Sequence, residues 1–396
     1  MAPTALISVT DAQARLLALA HPVDTEELPL AAAVGRWAAQ DVIARRTQPA
    51  ADLSAMDGYA IRFADLPGPF HLIGESAAGR SFSGTIASHE TVRIFTGAAV
   101  PDGADTVMVQ EEVEANGTAI ALVGEGPRFM GRNIRRKGLD FTTGDRLIAK
   151  GERLTPARIA VAGTGGHGMM TVNRRIRVAI AATGDELVPA GALTHGVELP
   201  ETNGVMLAAM LADLPVDIVD LGILPDRLDI LKDAFGRVEA DILVTTGGAS
   251  VGDHDLVRPA LEAAGGTIDF WRIALRPGKP MMAGRLGATI VLGLPGNPVS
   301  AFVTAHLFLR PLVAAAAGAI APLPQLYTAA LAEPLPANDH RQDYLRAKVT
   351  DGKVSVAAIQ DSSMLLALAR ANCLLLRAPL APAAQIGDLV QVLPLA

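Results

Sequence analysis

The sequence predicts a multidomain α/β plus β chain, with a doubly wound, mostly parallel α/β unit in its second half and short-strand β segments on either side. Three observations point there. The chain has 396 residues, half of them apolar and 19% charged, which is more than one core can hold and unlike the composition of a disordered protein. From Arg177 the chain alternates apolar strands, glycine- or acid-bearing loops and helices, a rhythm that right-handed crossovers turn into a parallel sheet with helices on both faces. Residues 61–127 break instead into short β-type runs between glycine turns, a small β domain, and short strands return in the tail.

Composition excludes several classes. No run matches the roughly eighteen uninterrupted apolar residues of a membrane span; the nearest, 307–323, contains Arg310 and two prolines. The N-terminus lacks the basic-then-apolar pattern of a signal peptide, so the cytoplasm is expected. A single cysteine, Cys373, rules out an internal disulfide and a cysteine-clustered zinc site, and in its apolar run it reads as buried filler. Net charge is 34 minus 41, or −7, which argues against a general nucleic-acid binder while leaving room for a local basic site.

In chain order, Thr10 or Asp11 is expected to cap a helix through Leu16 and Leu19 that Pro22 stops, and a second helical or loop segment passes Leu28, Leu30 and Trp37. Both read as packing surface. In Asp52-Leu-Ser-Ala-Met-Asp-Gly-Tyr-Ala60, the Asp57-Gly58 pair stands at the mouth of a strand, where a plain turn is the simpler explanation. Phe95-Thr-Gly-Ala-Ala99 offers the Thr96 hydroxyl and a bare glycine backbone. Between Arg128 and Asp140 lie five cations within ten residues. They are broken by glycines and lack helical spacing, which fits a small, highly charged anion better than a nucleic-acid-reading helix. Thr155-Pro156 starts a helix in the connector that follows.

The α/β unit then takes shape. Arg177 to Ala182 is a strand closed by Thr183-Gly-Asp-Glu-Leu187, Thr202-Asn203 caps a helix, and Val216 to Asp220 is the next strand, with Asp226 beyond it. The run Asp241-Ile-Leu-Val-Thr-Thr-Gly-Gly-Ala-Ser-Val-Gly-Asp-His-Asp255 is a buried strand ending in a loop whose backbone N–H groups can close on a phosphate. Carboxylates following at Asp253 and Asp255 make sense beside a phosphate chiefly with a divalent cation between, although an ordinary strand-to-helix turn with a capping acid has the same letters. In Arg276-Pro-Gly-Lys-Pro280, prolines and a glycine hold two cations on a stiff loop suited to an oxyanion, and Leu294-Pro-Gly-Asn-Pro-Val-Ser300 is a rigid turn into a long last helix. In such a sheet these loops all fall at the carboxyl ends of strands, where ligands bind.

Taken together, Ser54-Ala-Met-Asp-Gly-Tyr-Ala60, Thr96-Gly-Ala-Ala-Val-Pro101, Gly131-Arg-Asn-Ile-Arg135, Thr183-Gly-Asp-Glu-Leu187, Gly247-Gly-Ala-Ser-Val-Gly252, Pro277-Gly-Lys-Pro280 and Gly293-Leu-Pro-Gly-Asn-Pro-Val-Ser300 resemble the bacterial MoeA family of molybdenumtransferases. They are also similar to the E domains of gephyrin and of the plant molybdenum-insertion protein. The motifs stand in the family's order from Ser54 to the end.

The resemblance implies a discontinuous N-terminal region (1–50 and 141–175), an inserted β domain (51–140), a molybdopterin-binding α/β domain (176–322) and a C-terminal β-barrel (323–396). It implies a cytoplasmic homodimer whose active sites each join the α/β domain of one copy to the N-terminal half of the other. The implied reaction is Mg²⁺-dependent insertion of molybdate into adenylylated molybdopterin with release of AMP. Carried over by position, Asp57, Thr96, Asp140 and Glu186 are the expected catalytic residues, the three carboxylates organising metal and water. Asp226, Gly247, Gly248, Ser250, Asp255, Pro295 and Pro298 are expected to bind the substrate, and Arg276, Lys279, Ser300, Arg346 and Ser362 or Ser363 to bind molybdate. Implied partners are the adenylyltransferase that makes the substrate and the enzymes that accept the cofactor. Three positions depart from the family pattern: Arg276 stands for a frequent lysine, Leu139 for a frequent acid, and Asp361-Ser-Ser-Met364 for a glycine-serine pattern. Two other readings compete, the adenylyltransferase itself, which shares the α/β domain but leaves everything ahead of Arg177 unexplained, and a non-catalytic scaffold like gephyrin.

Overall fold

The computed structural model describes residues 6–247, 256–278 and 280–395, with the side chains of residues 270, 271 and 280 left aside. Its largest sheet runs in the order Val216–Leu224, Ile176–Thr183, Ile242–Thr246, Thr289–Leu294, Pro280–Leu286, Thr267–Arg272. The first four strands are parallel and the last two antiparallel, as the mostly parallel reading requires. Alternate side chains build two cores. Val178, Ile180, Val244 and Leu292 join Leu207, Leu211 and Phe308 on one face, while Ala179, Ala181, Leu243 and Val291 join Leu231, Phe235, Val257 and Leu261 on the other.

The last helix, Pro298–Ala316, is long and apolar enough to cross a membrane, yet most of it is buried inside the protein. It widens to a π-helical turn over Ala305–Leu309. Pro311 has no N–H for the Leu307 carbonyl, and Gln13 Nε2 donates to that oxygen at 2.9 Å instead. The donor lies on the first helix, Val9–Leu17, whose buried Val9, Ala12 and Leu16 join the α/β core. Its cap is Ser8, not Thr10 or Asp11: Ser8 Oγ accepts the Asp11 N–H at 3.0 Å, and Asp11 supplies first-turn charge.

The segment around Leu28 is not helical. Thr25–Pro29 is a strand paired antiparallel with Met169–Asn173, and only Leu30–Ala33 makes a 3₁₀ turn. Its partner lies more than a hundred residues on, beyond the reach of local pattern. Val42–Ile43 pairs likewise with Arg146–Ile148, and Ala38, Val42, Ile148, Leu154, Met170 and Val172 share one core. Between these halves sits a second six-stranded sheet, ordered Thr106–Val109, Gly58–Ile61, Glu90–Ile94, Phe70–Ser76, Ala119–Leu122, Val113–Asn116.

The tail closes into a five-stranded barrel of Gln342–Thr350, Lys353–Val356, Tyr327–Leu331, Leu389–Pro394 and Cys373–Arg377, the last strand pairing back to the first. Cys373 is buried in its core, and burial pushes its thiol above the ordinary value. Leu275–Arg276 adds parallel to Gln342–Asp343, stitching the barrel to the α/β sheet.

Candidate functional site

Strands Ile176–Thr183, Ile242–Thr246 and Thr289–Leu294 run parallel and side by side, so their closing loops meet at one edge. A cavity of about 570 Å³ opens there, lined by Thr183, Glu186, Asn203, Gly247, Asn297 and Pro298 among others, with Ser363 and Leu365 forming a wall from the barrel side. Gly247 has φ +87°, and a Cβ there would stand 2.5 Å from the Thr183 carbonyl oxygen, so only glycine lets the two strand ends approach. Gly296 packs against it more loosely: a Cβ on Gly296 would lie 3.3 Å from Gly247 Cα.

Around this cavity three buried polar atoms, Thr183 Oγ1, Asn203 Oδ1 and Asn297 Oδ1, have no partner among the described residues. The Asn203 amide is oriented by its Nδ2, which donates to Gly296 O at 2.8 Å. Leaving such groups unpaired costs about 1–3 kcal/mol each, and three around one recess mark a place built to receive polar ligand atoms. Sequence reasoning missed all three, having read Asn203 as part of a helix cap and Thr183 as a strand end. The signal was present in Asn297, which stands between two prolines inside a loop already singled out.

Acids gather beside the cavity. Asp185 Oδ1 accepts the Asp226 N–H at 3.1 Å. Burial, and then the charges of Asp185 and Glu186, push the Asp226 carboxyl above its ordinary value. The turn carrying Asp57 belongs to the other six-stranded sheet. There Asp57 Oδ1 accepts from Thr96 N at 2.7 Å and from Thr96 Oγ1 at 2.9 Å. The Thr96 N–H, then its hydroxyl, and less strongly the nearby Arg93 charge hold the Asp57 carboxyl below its ordinary value. Asp140 is exposed, and its N–H donates to Gln48 O at 3.0 Å.

The structure therefore brings Asp57 to Thr96, and Glu186 to Gly247, Pro298 and Asp226. It does not gather Asp57, Asp140 and Glu186: among the described residues of one chain no three acid, histidine or cysteine side chains converge to hold a metal. Gly248, Ser250, Asp253, Asp255 and Lys279 lie outside the described residues.

On the oxyanion side, Arg276 is already engaged, donating to Asp343 and Asp339 and lying against Asn338. Two carboxylates balance its charge, which suits a strut for the stitch between sheet and barrel. Arg346 is 1% exposed, with Nη2 on the Asp361 carbonyl at 2.9 Å and Nε unpartnered. Ser300 is buried, and its carbonyl accepts from Thr304 Oγ1. Ser363 lines the cavity, whereas Ser362 gives its carbonyl to Val299 N. Pro295 is buried behind the lining. The basic run is partly spent within the chain too, Arg128 on Glu125 and Arg136 on Asp52, while Arg132 lies over the Phe129 ring.

Comparison with known proteins bears on these features. Residues 7–166 match the MoeA N-terminal region (domain I and II), residues 179–315 a probable molybdopterin binding domain, and residues 328–395 the MoeA C-terminal region (domain IV). The chain is 38% identical over 314 residues to a Haemophilus influenzae protein named molybdopterin molybdenumtransferase, covering 78% of this chain and 77% of that one. A Staphylococcus aureus protein of the same name is 32% identical over 354 residues, covering 85% and 83%. Among solved structures, the molybdopterin biosynthesis moeA protein of Pyrococcus horikoshii superposes with a TM-score of 0.85 at 26% identity, covering 98% of this chain and all of that one.

Proposed function

The chain belongs to the MoeA family, whose members are enzymes of molybdenum cofactor biosynthesis, and from that premise we propose that it inserts molybdate into adenylylated molybdopterin with release of AMP. The observation that carries this reading is the strand-end cavity, with its glycine-only approach at Gly247 and its three unpaired polar atoms. A phosphorylated heterocycle needs both kinds of surface: bare backbone for the phosphate, and side-chain oxygens for ring N–H groups.

In this reading Glu186 and Asp226 face the phosphoanhydride, and Asp57, held ionised by Thr96, orients the attacking water or oxyanion from across the cleft. With Arg276 bound to its two aspartates, Lys279 and the cavity-lining Ser363 are the groups left to meet molybdate, while Ser300 and Arg346 are buried. Mg²⁺ suits the residues present, because it keeps most of its waters and takes one or two carboxylates together with substrate phosphate. Glu186 and Asp226 would offer it two hard oxygen donors, and its charge would offset those of Asp185 and Glu186 that raise the Asp226 carboxyl. Bound there, Mg²⁺ would neutralise charge on the phosphoanhydride.

The family resemblance supports a homodimer in which each cleft takes Asp57 from one copy and Glu186 from the other, and among the described residues of one chain these acids join no three-residue metal-binding cluster. The setting is cytoplasmic, where the adenylyltransferase supplies the substrate and cofactor-accepting enzymes remove the product.

The test is AMP release from adenylylated molybdopterin. Molybdate-dependent release supports the reading, and its loss in Asp57→Asn and Glu186→Gln with unchanged folding supports the residue roles. ATP-dependent adenylylation of molybdopterin would favour the adenylyltransferase, and neither activity a scaffold.

A further inference from the structure

The loop pair that holds Asp57 and Thr96 is fastened by a cation whose part goes beyond its charge. Arg93 lies on strand Glu90–Ile94, directly across from Tyr59 in the antiparallel pairing with Gly58–Ile61. Its guanidinium carbon stands 5.0 Å from the Tyr59 ring centroid and 5.0 Å from that of Phe95. The fork donates through Nη1 to Gly58 O at 3.2 Å and through Nη2 to Gln110 Oε1 at 2.5 Å. Gln110 in turn donates its N–H to Asp57 O at 3.1 Å.

Each of these partners adjoins the catalytic pair. Gly58 follows Asp57, Phe95 precedes Thr96, and Gln110 follows strand Thr106–Val109 on the other side. One planar cation thus ties the ends of three adjacent strands at the point where Asp57 and Thr96 leave the sheet. The strands are close here and only glycine fits, since a Cβ on Gly58 would fall 1.8 Å from the Met108 carbonyl oxygen. The geometry points to Arg93 as a positioning residue that fixes the Asp57–Thr96 pair for the reaction, a role that rests on the reading of Asp57 given above. A guanidinium does this and an ammonium does not: only the fork reaches two acceptors while standing over two rings.

The test compares Arg93→Met, Arg93→Lys, Asp57→Asn and the Arg93→Met/Asp57→Asn double variant in the full-length protein, with far-UV dichroism to verify the fold. In Arg93→Met, kcat for AMP release falls by about 10- to 100-fold while KM for adenylylated molybdopterin stays within about twofold, since substrate binding resides in the other cavity. Arg93→Lys stays nearer to Arg93→Met than to wild type, and the double variant is no slower than Asp57→Asn. Amide hydrogen exchange supplies a readout independent of turnover. The Thr96 and Gln110 amides of Arg93→Met exchange about tenfold faster, while strand Phe70–Ser76 of the same sheet is unchanged. Wild-type kcat in Arg93→Met, full rescue by lysine, or exchange that rises evenly across the sheet would each overturn the assignment. Wild-type turnover in Asp57→Asn would overturn the role of Asp57 and this one with it, whereas an inactive Asp57→Asn beside a normal Arg93→Met removes Arg93 alone.

Discussion

Gly247 shows how one missing Cβ makes a ligand site. Alanine there must adopt a positive φ and press against the Thr183 carbonyl oxygen, so Gly247→Ala is expected to cost about 1–3 kcal/mol of stability and to abolish molybdopterin binding, measured by thermal melts and titration calorimetry. Asp226 works in the opposite sense. Its folded pKa is raised, so the fold is favoured below the unfolded-state pKa and loses stability as pH rises through the folded one. Above the folded pKa that penalty is fully present. Asp226→Asn is therefore expected to raise the melting temperature at pH 7, to leave it nearly unchanged at pH 3, and to lower AMP release, a trade of stability for function. The glycines and acids at strand ends were legible in the sequence because they recur at one strand end after another, although each alone reads as a plain turn. Asn203, Thr183 and Arg93 were not, since their meaning lies in partners that are absent or distant in the chain. Arg276 was legible as a pinned cation, but Asp339 and Asp343, more than sixty residues on, decide what holds it.

Among the elements, the helix Pro298–Ala316 combines an interruption with a buried imidazole. His306 lies in the π turn, stacked near Phe302, and burial together with the Arg310 charge lowers its pKa from 6.5 to about 4. It is neutral in the fold and charged in the unfolded chain below pH 6.5, so stability is intact above that value and drains away as pH falls towards 4. The loss by pH 5 is on the order of 2 kcal/mol, and His306→Gln is expected to flatten the acid limb of a urea-melt series. Gln13→Ala tests the interruption itself. It strands the Leu307 carbonyl, which Pro311 cannot serve, and should cost about 1–3 kcal/mol in the same melts. Strand–loop–helix order gave away the parallel sheet, and Thr155-Pro156 the start of its helix. Thr25–Pro29 escaped, because five residues with a terminal proline carry little strand pattern and their pairing is wholly long-range.

For the whole molecule, the proposed sharing of each cleft between two copies has a direct assay. If each cleft draws on two copies, an equimolar mixture of Asp57→Asn and Glu186→Gln chains, unfolded and refolded together, forms half its dimers as hybrids. One cleft in each hybrid is intact, so about a quarter of wild-type AMP release returns. A site contained within one chain would recover nothing. The mixed α/β and β architecture was readable from rhythm alone. Closure of the tail into a five-stranded ring was an expectation of resemblance, since short strands do not reveal which edges meet.

The Gln13 contact also sets an order of events during synthesis. Leu307 is translated 294 residues after the side chain that serves it, a delay of about 15 to 60 s at ordinary ribosomal speeds. Through that interval the apolar stripe of Val9, Ala12 and Leu16 has left the exit tunnel with no sheet to cover it. The nascent protein thus carries an uncovered apolar helix face until its second half arrives.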